Sequence, residues 1–282
     1  MNKIITQTSF WFIALFGISL MSCAQVSDDH SKEEKVTTEY KNSMENKMKV
    51  EIWSDVMCPF CYIGKRNFEA ALEKFADKEH IEVIWKSYLL APDLPEVVNE
   101  TYHDYLVKVK GMDVAQVNGM LDNVTQSAKQ VGLEYNFDIA KMVSSLSAHK
   151  LIQLATTKGL GDQAEERLFS AFFTEGKSIA DLETLTELGK EIGLDEAEIK
   201  TAFTDEKYAQ LVQQDIEEAR QIGVQGVPFF VMDRKYAVSG AQPAEAFLEN
   251  IEKAFTEWRK LNPVTKLEIT QGKSCTPDGL CD

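Results

Sequence analysis

Apolar and polar positions along the chain change period several times, and each change marks an element. "MKVEIWSDV" carries a short β-rich core from Val50 to Trp53 and ends in Ser54-Asp55, which predicts a strand. From Pro59 the period lengthens. Phe60, Ile63, Phe68, Leu72 and Phe75 recur at three-, four- and five-residue steps, as on one face of a helix. Pro59 then occupies the first helical position, where its missing N–H costs nothing. "IEVIWKSYLL" reads as a second strand, stopped by the breaker "APDLP".

Roughly residues 98–222 are helix-rich. "VAQVNGMLDNVTQSAKQVG", "FDIAKMVSSLSAHKLIQLATTKG", "AEERLFSAFFTEG" and "DLETLTELGKEIG" each end near a glycine, a common helix stop. Asp195 opens "DEAEIKTAF" as an N-cap, and "EKYAQLVQQDIEEARQIG" closes the set. Strand signals return in "VPFFVMDRKYAVSG", two short runs around Asp233-Arg234 that predict a hairpin. A final helix, "PAEAFLENIEKAFTEW", opens at Pro243. The predicted fold is therefore α/β, a thioredoxin topology with a large α-helical insertion between strand 2 and the C-terminal βα half.

The first residues stand apart from this pattern. Lys3 precedes "FWFIALFGISLM", too short to span a bilayer but right for a signal-peptide core. The following "LMSCAQ" resembles the bacterial lipoprotein processing box, which implies cleavage before Cys23 and a diacylglycerol on its sulfur. The expected organisation is a signal peptide at 1–22, a polar tether at 23–47 and a thioredoxin-like domain at 48–96 and 206–260. The helical insertion takes 97–205, and a tail with a cysteine pair takes 261–282. This places the protein in the cell envelope, lipid-anchored to a membrane and facing the periplasm or exterior, where disulfides persist.

Charge narrows the partners. A net charge of −15 without any basic block argues against nucleic acid or an anionic membrane surface as the main partner. An apolar content of 44% is enough to bury the core of one or two domains.

The candidate chemistry lies in the five cysteines. Lipidation of Cys23 leaves two local pairs, Cys58/Cys61 and Cys275/Cys281. Structural zinc needs four ligands, and no spaced histidines lie near Cys58 and Cys61, so no metal is expected there. A disulfide across two residues closes too small a ring to stabilise much by chain entropy. At a strand-to-helix junction, however, Cys58 sits at the helix N-cap, where free backbone N–H groups and the macrodipole favour a thiolate. Cys61 follows one turn later on the same face, placed to attack a mixed disulfide. The spacing predicts redox chemistry and needs no cofactor. Around the second pair, Pro277, Asp278 and Gly279 make a disulfide sterically easy; a shuttling dithiol and a local staple are both open. In "GVQGVPFF", Pro228 opens a strand as a cis-proline or as a trans-proline on an edge, and the octapeptide does not choose between them.

Taken together, "SDVMCPFCYIGKRNFEAAL" and "GVQGVPFFVMDRKYAVSGAQPAEAF" resemble the DsbA-like thioredoxin-fold family, and within it the FrnE-like branch, over roughly residues 48–258. The resemblance implies that Cys58 attacks and Cys61 resolves. It implies a cis Val227-Pro228 pair beside them, with the Val227 backbone pairing to an extended substrate peptide and Pro59 and Phe60 completing the substrate side. That branch often has Trp where Phe60 stands. The implied activity is disulfide exchange or isomerisation on exported proteins with thiols or disulfides, served by a redox partner that the sequence does not name. Pro-Phe between the cysteines offers no cation to a Cys58 thiolate, which predicts a less oxidising pair than one with His there. The alternative on the same fold is a glutathione-dependent isomerase or transferase of the hydroxychromene-carboxylate isomerase or kappa type. Those enzymes present serine where Cys58 stands and lack the resolving cysteine. A non-enzymatic lipoprotein with a stapling CxxC is the third reading. His149, among apolar positions, reads as packing; Asp55 either influences Cys58 or ends the strand; His80, His103 and Asp104 have no evident partner.

Overall fold

The computed structural model describes residues 46–96 and 100–263. The putting-together of the chain starts from β1 (Met48–Ser54), two residues longer at its start than the β-rich core and one longer at its end. It pairs in parallel with β2 (Ile81–Ser87), placing Val50 opposite Val83 and Ile52 opposite Trp85. On its other side it pairs antiparallel with β3 (Phe229–Met232), and β3 continues antiparallel into β4 (Tyr236–Ser239). The sheet order is β2-β1-β3-β4, with β1 buried along nearly its whole length as an inner strand should be. Three residues join β3 to β4, and the Lys235 N–H closes the turn onto the Met232 carbonyl at 3.1 Å; Asp233 and Arg234 within it both take positive φ, 50° and 54°. The Arg234 guanidinium pairs with Glu51 and Glu218, which holds the turn against the sheet.

Strand alternation divides the packing between two faces. Phe230 packs with Phe68 of α1 (Pro59–Lys74) and Phe247 of α8 (Ala244–Leu261), ring centroids 5.5 and 4.5 Å away. Trp53 and Val231 face the other way, against Ala219 of α7 (Glu206–Gln221) and Val224. The Trp53 indole N–H donates to the Asp215 carbonyl at 2.9 Å, anchoring α7 to the strand.

The insertion between β2 and α7 is helical: α2 (Val114–Gln130), α3 (Leu146–Thr157), α4 (Gly161–Phe173), α5 (Leu182–Glu191) and α6 (Glu196–Thr204). Aspartates cap α2, α5, α6 and α7: Asp113, Asp181, Asp195 and Asp205 each accept backbone N–H groups of the first turn. Gly132 and Gly159, with φ of 79° and 72°, end α2 and α3 as expected. One boundary differs. The segment read as helical from Phe137 is irregular up to Ser145, and α3 begins only at Leu146. Phe137, Ala140, Met142 and Val143 are buried one by one in a crossing segment, so their spacing mimics a helix without forming one. Pro243 is the N-cap of α8 and precedes its first residue. Among the described residues no helix is long and apolar enough to cross a membrane. The signal segment, Cys23, most of the tether and the pair Cys275/Cys281 lie outside the described residues.

Candidate active site

β1 ends, and α1 begins, within one tight loop. The Asp55 carbonyl accepts the Cys58 N–H at 2.9 Å, and the Cys58 carbonyl accepts the Cys61 N–H at 3.0 Å. Cys58 is the N-cap of α1 with an extended backbone (φ −87°, ψ 111°), and Pro59 follows at the first helical position. Both cysteines are free thiols and both are largely buried, Cys61 more so. Burial pushes the Cys61 thiol pKa well up, and the neighbouring Cys58 adds to it through a hydrogen bond and charge. The Asp55 N–H and the Ser54 hydroxyl oppose this in part.

The distant proline segment closes over the same loop. The bond between Val227 and Pro228 is cis, and the Cys58 thiol lies 3.5 Å from the Val227 carbonyl oxygen, which accepts from it. Pro228 reaches α1 at Gly64, where an added β-carbon would meet its Cγ at 3.0 Å. The structure thus brings Cys58, Cys61, Val227, Pro228 and Pro59 together. Phe60 continues the apolar spacing of α1 in the sequence, yet 45% of its surface is exposed beside the buried cysteines.

The insertion supplies the remaining support. The Tyr135 hydroxyl, from the segment after α2, donates to the Pro59 carbonyl at 2.6 Å. Tyr62, in the first turns of α1, stacks on Phe169 at 4.8 Å and donates to Glu166 of α4 at 2.6 Å, and Arg66 pairs with the same carboxylate. Burial first, and then the charge of Cys58, hold the Tyr102 and Tyr135 phenols protonated well beyond their usual range. Lys65 is wholly buried, its ammonium 3.2 Å from both Asp162 and Glu166.

Three further groups belong to this neighbourhood. Asp55 is fully buried; its carboxylate accepts the N–H groups of Met57 and Leu90 at 3.2 and 2.7 Å. His149 of α3, expected to be a packing residue, is fully buried with Nε2 3.6 Å from Asp55. Glu165 of α4 is also fully buried and was not singled out from the sequence. Its signal is legible in hindsight, because positions 165, 168, 169 and 172 share one helical face and the other three are Leu, Phe and Phe. Among the described residues, the cluster of potential metal ligands is Asp77, Glu79 and His80, ahead of β2, and neither cysteine belongs to it.

The model of the DSBA-like thioredoxin domain matches residues 49–252, from β1 into α8, and so takes in the cysteine loop, the insertion and the proline segment. The chain belongs to the DSBA-like thioredoxin domain family. It is similar to a probable DsbA oxidoreductase from Streptomyces coelicolor, with 36% identity and a TM-score of 0.71, over 83% of this chain and 98% of that one. It is also similar to the curated protein YwbO of Bacillus subtilis (strain 168), 27% identical over 75% of this chain and 97% of the relative. A 2-hydroxychromene-2-carboxylate isomerase shares the fold, with 15% identity and a TM-score of 0.52 over 76% of this chain and 98% of that one.

Proposed function

We propose that the chain is a thiol–disulfide oxidoreductase of the FrnE-like branch, exchanging disulfides with exported proteins through Cys58 and Cys61. The observation that carries this reading is the placing of Cys58. Its sulfur stands at the amino end of α1, where negative charge is stabilised, and 3.5 Å from the Val227 carbonyl oxygen. The Cys58 thiolate attacks a substrate disulfide and forms a mixed disulfide, releasing one substrate sulfur as thiolate. Cys61 then attacks the Cys58 sulfur, closes the Cys58–Cys61 bond and releases the second substrate sulfur. The backbone of Val227 and the exposed ring of Phe60 support an extended peptide held beside Cys58, with Pro59 and Pro228 shaping its walls.

The test is an equilibrium titration of the pair against glutathione buffers, in a chain carrying Cys275→Ser and Cys281→Ser. A reversible two-electron transition is expected, at a potential below that of strongly oxidising relatives with a cation between the cysteines. Absence of any transition sinks the reading. A glutathione-dependent isomerase is the rival on this fold. The second thiol one turn after Cys58 favours dithiol exchange over it; glutathione-dependent isomerisation without disulfide reduction would reverse that choice.

The lipid anchor on Cys23 and the cell-envelope location are part of the same proposal, resting on the sequence pattern at the N-terminus. Cys23→Ser is expected to release the protein from the membrane fraction. Whether Cys275/Cys281 shuttles or staples is decided by mixing it, reduced, with the oxidised Cys58/Cys61 pair and following exchange.

A further inference from the structure

A cavity of about 480 Å³ lies beside β2, walled by that strand, α3 and α7. Among the described residues β2 is an edge strand, with β1 as its one neighbour in the sheet. Its backbone groups alternate in direction. The Tyr88 N–H donates to the Ser54 carbonyl of β1 at 2.9 Å, so Lys86 and Ile84 also turn their backbone groups towards β1. Ile81, Val83, Trp85 and Ser87 turn theirs outward. Of these, the Ile81 N–H reaches the Lys78 carbonyl, and the Ser87 N–H reaches the Asp215 carboxylate at 2.9 Å. Trp85, which borders the cavity, has no such partner: among the described residues neither its N–H nor its C=O takes a hydrogen bond. Its indole lies on the opposite face, donating to Asp162 at 3.1 Å, whereas the Lys86 side chain turns to Asp215 of α7. What Trp85 presents to the cavity is therefore backbone.

Gln153 of α3 borders the same cavity and is only 8% exposed. Its amide nitrogen gives one hydrogen to Asp215 at 2.6 Å and the other to Ser87 Oγ at 3.0 Å. Both donors are spent, which fixes the amide and leaves its oxygen as an acceptor without a donor among the described residues. Asp215 is saturated, since it also takes Lys86 at 2.9 Å. Lys86 reaches Glu218 as well, at 3.1 Å, and Glu218 shares Arg234 with Glu51. Glu217 stands apart from this set. Among the described residues its close cation is the exposed Arg220 of its own helix, 3.5 Å away, a pair worth little in water. The cavity wall thus sets Asp215, Glu217 and Glu218 against the single ammonium of Lys86. The groups it leaves unused are the Trp85 N–H, the Trp85 and Gln153 carbonyl oxygens and the Glu217 carboxylate.

We infer that this cavity binds an extended peptide segment carrying a lysine or arginine, added to the outer edge of β2. An open strand edge pairs with the N–H and C=O groups of another backbone, and side-chain pockets beside it choose the sequence. The Trp85 N–H donates to a peptide carbonyl, and the Trp85 C=O accepts a peptide N–H. The basic side chain lies on the α7 side of the strand, where Glu217 pairs with its charge and the Gln153 amide oxygen accepts one of its N–H groups. An acidic side chain finds no cation to spare there, because Lys86 and Arg234 are already paired. The volume falls in the usual range of small-ligand pockets, about 300–1,000 Å³, so the recognised stretch is short. None of these residues belongs to the cysteine loop or to the proline segment, so the site is separate from the proposed exchange and does not depend on it.

The experiment titrates the capped peptide acetyl-Val-Lys-Val-amide calorimetrically into the full chain and into the same chain carrying Glu217→Lys. The parent is expected to bind with a Kd below about 1 mM, and Glu217→Lys to weaken binding about tenfold by turning attraction into repulsion. Two altered peptides test the same contacts in the parent chain alone, so the answer does not hang on how the variant folds. Norleucine in place of the peptide's lysine removes the charge, and N-methylation of the lysine amide removes a backbone donor; each is expected to weaken binding about tenfold. No binding up to about 10 mM overturns the inference. Equal binding by both chains, or by all three peptides, overturns it as well, because the peptide then sits elsewhere. Cadaverine binding as tightly as the peptide would make the cavity a site for small amines and overturn the strand pairing.

Discussion

Gly64 and Pro228 meet across the junction between α1 and the proline segment: a β-carbon on Gly64 would stand 3.0 Å from the proline Cγ and 3.4 Å from Phe230 Cζ. The helix that carries the cysteines and the segment that carries Val227 approach this closely because position 64 has no side chain. Gly64→Val forces them apart. It is expected to cost about 1–3 kcal/mol of stability, as overpacking does. Loss of insulin-disulfide reduction at temperatures where the variant is still folded would show that the separation, beyond the stability, matters.

Tyr135→Phe removes one buried hydroxyl and leaves the ring. The Pro59 carbonyl loses its 2.6 Å donor, so chemical denaturation should register a loss of about 0.5–1.5 kcal/mol. Tyr135 reaches Pro59 from the insertion, and the same variant is expected to slow exchange at Cys58. A change in stability with an unaltered exchange rate would mean that the loop keeps its shape without this bond.

In the proposed exchange Cys58 attacks and Cys61 resolves, and single variants separate the two parts. Cys58→Ser is expected to abolish reduction of disulfide substrates. Cys61→Ser is expected to accumulate mixed disulfides with substrate, visible on non-reducing gels and dissolved by dithiothreitol. Equal behaviour of the two variants would contradict the assigned order of attack.

Glu165 gives stability a pH dependence of known sign. Its carboxyl is pushed from an ordinary value of 4.5 up to about 8 in the folded protein. Between those limits the folded state binds more protons than the unfolded one, so its contribution is complete below about pH 4.5 and is lost as pH rises through 8. The loss is on the order of a few kcal/mol. Glu165→Gln should flatten the fall in denaturation midpoint between pH 6 and 9; an unchanged slope would place the titrating group elsewhere.

Much of this was legible in the chain, for local reasons. The change of period at Pro59, the spacing of Cys58 and Cys61, and the Asp233-Arg234 turn each depend on a few neighbouring residues. They lead directly to β1, α1 and the hairpin. The cis bond before Pro228 was not decidable from its octapeptide. The segment 137–145 was misread because apolar residues buried at a crossing can fall at helical intervals by coincidence. His149 and Glu165 were missed as a unit for a different reason. The approach of His149 to Asp55 and the burial of Glu165 depend on how α3 and α4 dock onto the β1–α1 loop, and no short stretch of sequence carries that. Phe60 shows the converse, a residue that fits the apolar face by count yet faces outward at the first turn of α1.

The loop between β1 and α1 is held from two distant parts of the chain, by Val227 ahead of β3 and by Tyr135 and His149 of the insertion. The insertion therefore shares in shaping the thiols, and it is no detachable ornament on the sheet. Lineages that shorten it would be expected to change their cysteine chemistry at the same time. An engineered miniature made of the four strands and their flanking helices would inherit the motif but lose half of its scaffold.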